Sequence, residues 1–279
     1  MHRLISLNFR RHFLGFWMLA AMIALISPYA SADMDKIRAS GKLSVAVYQD
    51  FTPYSDKTGG IDHDLAAALA KKLGLKLSLI PFPAGDNIDD DLRNMVWKGH
   101  YLGFGPADVM LHVPVDRSVM IKNDKVEILA PYYRDTVQLV RNIKAIPEMN
   151  GVESLEGKKL AAEKVSIAAM VLLGESSLRE NVTIYLSAIE ALEKMKAGEH
   201  DAVLATRAEI ESVIRNDPRF EITEAPFPRL PRKGWVIGMS VTKENVELAR
   251  LLQAAVNELF ESGEMASLFA KHGVRSIKP

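Results

Sequence analysis

Short runs rich in β-branched residues alternate along the chain with stretches whose apolar positions recur every three to four residues, so strands and helices are expected in turn. The first run, 43–47, precedes a turn-rich stretch at 52–60 and then 62–73, where Leu65, Leu69 and Leu73 fall at i, i+4 and i+8. Gly74 stands where a helix C-cap is expected. A strand at 75–81, an amphipathic helix at 89–98 and a strand at 107–111 complete a β-α-β-α-β order. A second set at 159–162, 166–173, 182–186, 188–197, 202–205 and 208–214 repeats the alternation, with Gly198 closing a helix before a strand. This pattern predicts an α/β protein of two lobes, each a mostly parallel sheet flanked by helices, with ligands at the carboxyl ends of the strands.

Segment 135–141 reads as a strand crossing between the lobes, and the Pro-rich stretch 226–231 leads to a second extended run at 235–241. Two helical patterns, 245–262 and 265–272, follow without partner strands, so the chain is expected to return to lobe one. The expected organisation is a signal segment at 1–32, lobe one at 33–136, lobe two at 137–234, and a return to lobe one at 235–279. Two crossings make a hinge, and a cleft between hinged lobes can close around a small ligand.

The amino terminus carries Arg3, Arg10 and Arg11 without an acid, then an apolar run at 13–26, then Ala30-Ser31-Ala32. That order predicts a secretory signal peptide cut after Ala32. As a helix the apolar run spans about 21 Å, short of the roughly 30 Å of a bilayer core. Arg10-Arg11-His12-Phe13-Leu14 resembles a twin-arginine export signal, with Phe9 where that pattern usually has Ser or Thr. Both export routes remain open. With no Cys at the cleavage site no lipid anchor is expected, and the expected destination is a Gram-negative periplasm.

The full chain of 279 residues balances 35 basic against 35 acidic groups. Cleavage removes three basic and no acidic residues, leaving 32 and 35. Neither value suits nucleic acid, which needs basic groups gathered on one face. A total absence of Cys excludes disulfides, thiolate zinc sites and cysteine nucleophiles.

Several segments carry a specific resemblance. The opening Met34-Asp35-Lys36-Ile37-Arg38-Ala39-Ser40-Gly41-Lys42-Leu43, then Asp50-Phe51-Thr52-Pro53-Tyr54-Ser55, Ile61-Asp62-His63-Asp64-Leu65, Pro131-Tyr132-Tyr133, Leu155-Glu156-Gly157-Lys158-Lys159 and Ala197-Gly198-Glu199-His200-Asp201-Ala202 stand in one order. Together they resemble the extracellular solute-binding proteins of polar amino-acid transport. The resemblance implies the type 2 periplasmic binding fold, a small-molecule ligand and an inner-membrane permease as partner. It also implies ligand contact by the rings of Phe51 and Tyr54.

The resemblance places the α-carboxylate clamp near 108–117, where this chain has neither expected threonine and where Arg117 is the available guanidinium. The corresponding lobe-two loop reads Glu163-Lys164-Val165-Ser166, with Ser166 as a helix N-cap donor. After 201–204 the chain continues Ala205-Thr206-Arg207, without the acid that would pair with an ammonium. A buried unpaired ammonium costs several kcal/mol. The expectation is therefore an anionic ligand held by Arg117, Lys164 and Arg207, with Phe51, Tyr54, His112, Ser166 and Thr206 completing the site.

Asp108-Val109-Met110-Leu111-His112-Val113-Pro114 and Pro131-Tyr132-Tyr133-Arg134-Asp135-Thr136 also resemble the branch associated with quinoprotein methanol dehydrogenases. That likeness implies an alternative role, as an accessory protein binding the dehydrogenase, its cytochrome or pyrroloquinoline quinone. Periplasmic dehydratases of cyclic acids share the fold and give a second alternative, with Arg117, His112 and Lys164 as acid and base. A binding protein needs fewer special residues, so no enzyme activity is expected.

Asp86, Asp89, Asp90 and Asp91 suit a helix N-terminus better than a metal, since the loop lacks EF-hand spacing and Gly. His63 and His100 have no metal-ligating spacing, whereas His112 is placed to face the cleft mouth.

Overall fold

The computed structural model of the protein describes residues 32–230 and 234–279. The signal segment expected at 1–32 lies, but for its last residue, outside them. The chain begins with helix α1 (Ala32–Ser40). Strand β1 (Lys42–Tyr48) follows, then α2 (Ile61–Lys72), β2 (Lys76–Phe82) and the short α3 (Ile88–Leu92). Next come β3 (Val109–Pro114), α4 (Arg117–Lys122) and the long β4 (Val126–Asp135).

These strands form one sheet in the order β2-β1-β3-β10-β4, where β10 is the returning Trp235–Thr242. β1 runs parallel to β2 and β3, whereas β10 is antiparallel to both its neighbours. The terminal helices α8 (Val246–Glu261) and α9 (Glu264–Lys271) cover this sheet. Their Leu248, Leu252, Leu259, Met265 and Phe269 share one core with Leu43, Val45, Leu65 and Leu69.

The second sheet has the order β7-β6-β8-β5-β9. Its strands are β5 (Val137–Asn142), β6 (Leu160–Glu163), β7 (Val182–Tyr185), β8 (Ala202–Thr206) and β9 (Phe220–Glu224). Helices α5 (Ile167–Gly174), α6 (Ala188–Lys196) and α7 (Arg207–Ile214) connect them. Alternation along the strands fills a core on each face, one around Leu139, Leu160, Leu172 and Leu204, the other around Val140, Leu192, Val203 and Ile210. Both sheets are thus mixed, each with parallel members from β-α-β units and one antiparallel member contributed by a crossing strand.

The hinge departs from the single crossing strand expected at 135–141. β4 ends at Asp135 and β5 begins at Val137, so Thr136 alone separates a strand of one sheet from a strand of the other. Alternation does not announce β4, because Ala130-Pro131 interrupts it. Pro131 has no N–H, Ala130 takes φ 48°, and the pairing with β10 shifts register there. Gly238 faces this bulge, where a Cβ would stand 2.6 Å from the Leu129 carbonyl oxygen.

The helix expected over 89–98 also divides, into α3 and a π-turn at Arg93–Trp97. The aspartates before it serve the fold. Tyr48 Oη donates to Asp91 Oδ2 at 2.8 Å, and the Gly85 N–H donates to Asp91 Oδ1 at 2.8 Å. Asp90 pairs with Arg93 at 2.6 Å, and Asp89 accepts from Asn123 Nδ2 at 2.7 Å. Among the described residues no helix is long and apolar enough to cross a membrane.

Candidate functional site

Between the sheets lies a cavity of about 180 Å³. Lobe one contributes Phe51, from the loop after β1, and Trp235, the first residue of β10. Lobe two contributes Val137, Leu204 and Ala205, with Glu163, Ser166, Thr206 and Glu209 as the polar part of the wall. These positions are the carboxyl ends of β6 and β8, the start of β5 and the first turns of α5 and α7, where strand ends and helix starts leave backbone groups to be satisfied.

The chain satisfies many of them itself. Ser166 caps α5 by accepting from the Ala169 N–H at 3.0 Å and donates its own proton to the Glu163 carbonyl at 2.7 Å. Thr206 and Glu209 form a capping box on α7: the Thr206 N–H donates to Glu209 Oε2 at 2.8 Å, and the Thr206 hydroxyl oxygen accepts from the Glu209 N–H. The Glu163 carboxylate accepts from the Ala188 N–H at the start of α6. Burial pushes the Glu209 carboxyl up to about 7, with Glu163 and Asp135 adding repulsion. Burial raises Glu163 as well.

Behind Phe51 the first lobe stacks rings. Phe51 lies 5.3 Å from Tyr54 and 4.6 Å from His112, and the rings of Tyr54 and His112 are 4.2 Å apart. His112 takes φ 60° at an irregularity in the β3–β10 pairing, which turns its ring into this cluster and sets Nδ1 3.3 Å from Asp62 Oδ2. Asp62 is fully buried and accepts from Tyr132 Oη at 2.8 Å. Tyr54 is 2% exposed, and its hydroxyl donates to Asp135 Oδ2 at 2.6 Å, at the first crossing. It is a strut of the hinge rather than an open face for a ligand, because a buried phenol takes the nearest acceptor.

Of the eight residues expected in the site, Phe51, Ser166 and Thr206 line the cavity, and Tyr54 and His112 stand behind Phe51. The three cations do not line it. Arg207 Nε is drawn to Glu211 Oε1, one turn along its own helix, at 2.6 Å. Lys164 is exposed, next to Val165, whose φ of 58° leaves it 95% exposed. Arg117 is exposed in the first turn of α4. The carboxyls of Glu163 and Glu209, and the indole of Trp235, were not anticipated. Capping logic offers the one signal for Glu209, as the N3 acid of a Thr-x-x-Glu box.

Across the hinge, the Arg207 N–H donates to the Thr136 carbonyl at 2.8 Å, and the Arg275 N–H in the C-terminal tail donates to Glu211 Oε2 at 2.7 Å. Ala208 of lobe two is buried in the core of lobe one. Among the described residues no three of His, Asp and Glu gather as a metal site.

No family model matches the chain. It is 23% identical over 205 residues to the glutamine-binding protein of Geobacillus stearothermophilus, a match covering 71% of this chain and 73% of that protein. An ancestral cationic amino acid solute-binding protein superposes with a TM-score of 0.67 at 20% identity, covering 86% of this chain and 99% of its own. Substrate-binding domain 2 of GlnP from Lactococcus lactis, in its open conformation, gives 0.61 at 19% identity over 83% and 95% of the two chains. An amino acid ABC transporter substrate-binding protein of Streptococcus pneumoniae bound to L-arginine gives 0.59 at 20% identity over 87% and 98%. The fold is therefore that of the two-lobed solute-binding proteins.

Proposed function

From the two-lobed solute-binding fold as premise, we propose that this chain is a binding protein that captures a small solute between its lobes and presents it to an ABC transporter permease. One observation carries the reading: the cavity is walled by both lobes, Phe51 and Trp235 from one and Glu163, Ser166, Thr206 and Glu209 from the other. A solute there touches both halves of a hinge and so stabilises the closed arrangement by its differential contacts. The basic residues, apolar run and small residues of 1–32 support export through a cleaved signal peptide and work outside the cytoplasmic membrane.

Thermal unfolding of the mature protein with amino acids, amines, organic acids and pyrroloquinoline quinone tests this directly. A solute at 100 times its Kd stabilises by about 2.7 kcal/mol. At least one small solute is expected to raise Tm by several degrees and to reduce the radius of gyration in solution scattering. A shift with pyrroloquinoline quinone alone would instead move the chain to the accessory role at a quinoprotein dehydrogenase. Constant Tm and radius with every compound would remove the solute-binding reading.

A further inference from the structure

We propose, resting on the solute-binding reading, that the cleft is built for an organic cation with an apolar body and no carboxylate. Three features of the cavity converge on this. First, its ionisable wall is acidic: Glu163 and Glu209 line it, and among the described residues no Lys, Arg or His does. A buried carboxylate on the ligand would meet two carboxyls and no counter-charge, at a cost of several kcal/mol.

Second, some of the backbone donors at the helix starts around the cavity are taken by the chain itself. Three helices begin around the cavity, and the chain's own oxygens serve each of them: Ser166 takes the Ala169 N–H of α5, Glu163 the Ala188 N–H of α6, and Glu209 the Thr206 N–H at the head of α7. The Ser166 proton is committed to the Glu163 carbonyl. At these positions an entering anion finds the donor already taken.

Third, the remaining wall is apolar and aromatic. Phe51, Trp235, Val137, Ile167 and Leu204 all line the cavity, a composition that suits an apolar body and a cationic head beside aromatic rings. The cations that would reverse this reading are engaged or turned elsewhere, with Arg207 held by Glu211 at 2.6 Å and Lys164 and Arg117 exposed.

The test is calorimetric titration of the mature protein at pH 8 with matched compounds: agmatine against L-arginine, phenethylamine against L-phenylalanine, and 3-phenylpropionate. At least one amine is expected to bind tenfold or more tightly than its amino acid, with no detectable binding of the acid. Glu163→Gln and Glu209→Gln should each weaken that amine at least tenfold while the ligand-free Tm is kept or raised. An amino acid that binds as tightly as its amine, or binding of 3-phenylpropionate, would overturn the cation assignment and leave the solute-binding reading standing. Unchanged amine affinity in both Gln variants would likewise overturn it. Binding of no compound of the panel or of the wider set above would overturn both.

Discussion

At the scale of single residues the most consequential group is Glu209. It is 8% exposed, yet it is ionisable, and its carboxyl is raised from 4.5 to about 7 by burial. In the unfolded chain this group loses its proton first. Its favourable contribution is thus complete below about pH 4.5 and is lost as pH rises through about 7. Gln at the same position keeps an acceptor for the Thr206 N–H without ever ionising. Glu209→Gln should therefore match the native chain near pH 4 and exceed it in stability above pH 7, by on the order of 3 kcal/mol; urea unfolding at pH 4.5, 6 and 8 measures the difference. A gap that stays constant across this range would show that Glu209 titrates normally. A binding site kept at the expense of folding stability is the expected sign of a functional carboxyl. The sequence pattern points to Thr206, and the segment 205–207 itself holds no acid. The acid, Glu209, stands three residues beyond Thr206, where the capping box turns it back toward the N-cap backbone.

At the scale of elements, the hinge rests on backbone fit. Gly234 takes φ 62° immediately before β10, and a Cβ there would collide with the Asp135 carbonyl. Trp235 pairs with Asp135 in the ladder, so the two crossings lie side by side, with Gly234 admitting their close approach. Gly234→Ala is expected to destabilise the protein on the order of 3 kcal/mol, through left-handed strain and backbone collision together; the chemical denaturation midpoint reports it. An effect below 0.5 kcal/mol, of the size seen at ordinary surface positions, would show that the crossings separate freely. The core strands and helices were legible from periodicity because β1, β6 and β8 are buried on both faces and α2, α6 and α8 on one. β4 and β9 were not, for different reasons. Ala130-Pro131 breaks β4, and β9 is an edge strand whose Phe220, Ile222 and Thr223 share their run with exposed glutamates.

At the scale of the whole molecule, specific contacts join the lobes. Tyr54 from lobe one reaches Asp135 at the crossing, Ala208 of α7 enters the core of lobe one, and the C-terminal tail returns to Glu211 through the Arg275 N–H. Asp135 is 1% exposed and its carboxyl is raised by burial, while the Tyr54 hydroxyl opposes that rise by donating to it. Tyr54→Phe removes the donor and leaves the acceptor buried, which should cost about 1.5–3 kcal/mol. It should also alter the distribution between open and closed forms, visible as a changed radius of gyration without ligand. Stability and radius both equal to the native values would mean that Tyr54 is only a core ring.

The sequence by itself determined the two α/β lobes and the return of the C-terminal helices to the first. Both follow from local periodicity and the order of elements, which neighbouring residues decide, whereas Phe51 and Thr206 were pointed to by the family resemblance. The sign of the cleft's charge was decided only by the tertiary structure. Arg117, Lys164 and Arg207 are close to the cleft in sequence, but side-chain direction depends on partners elsewhere: Glu211 holds Arg207, and the left-handed turn at Val165 adjoins the exposed Lys164. The same packing brings Glu163 and Glu209, distant in sequence, into one cavity with Phe51 and Trp235.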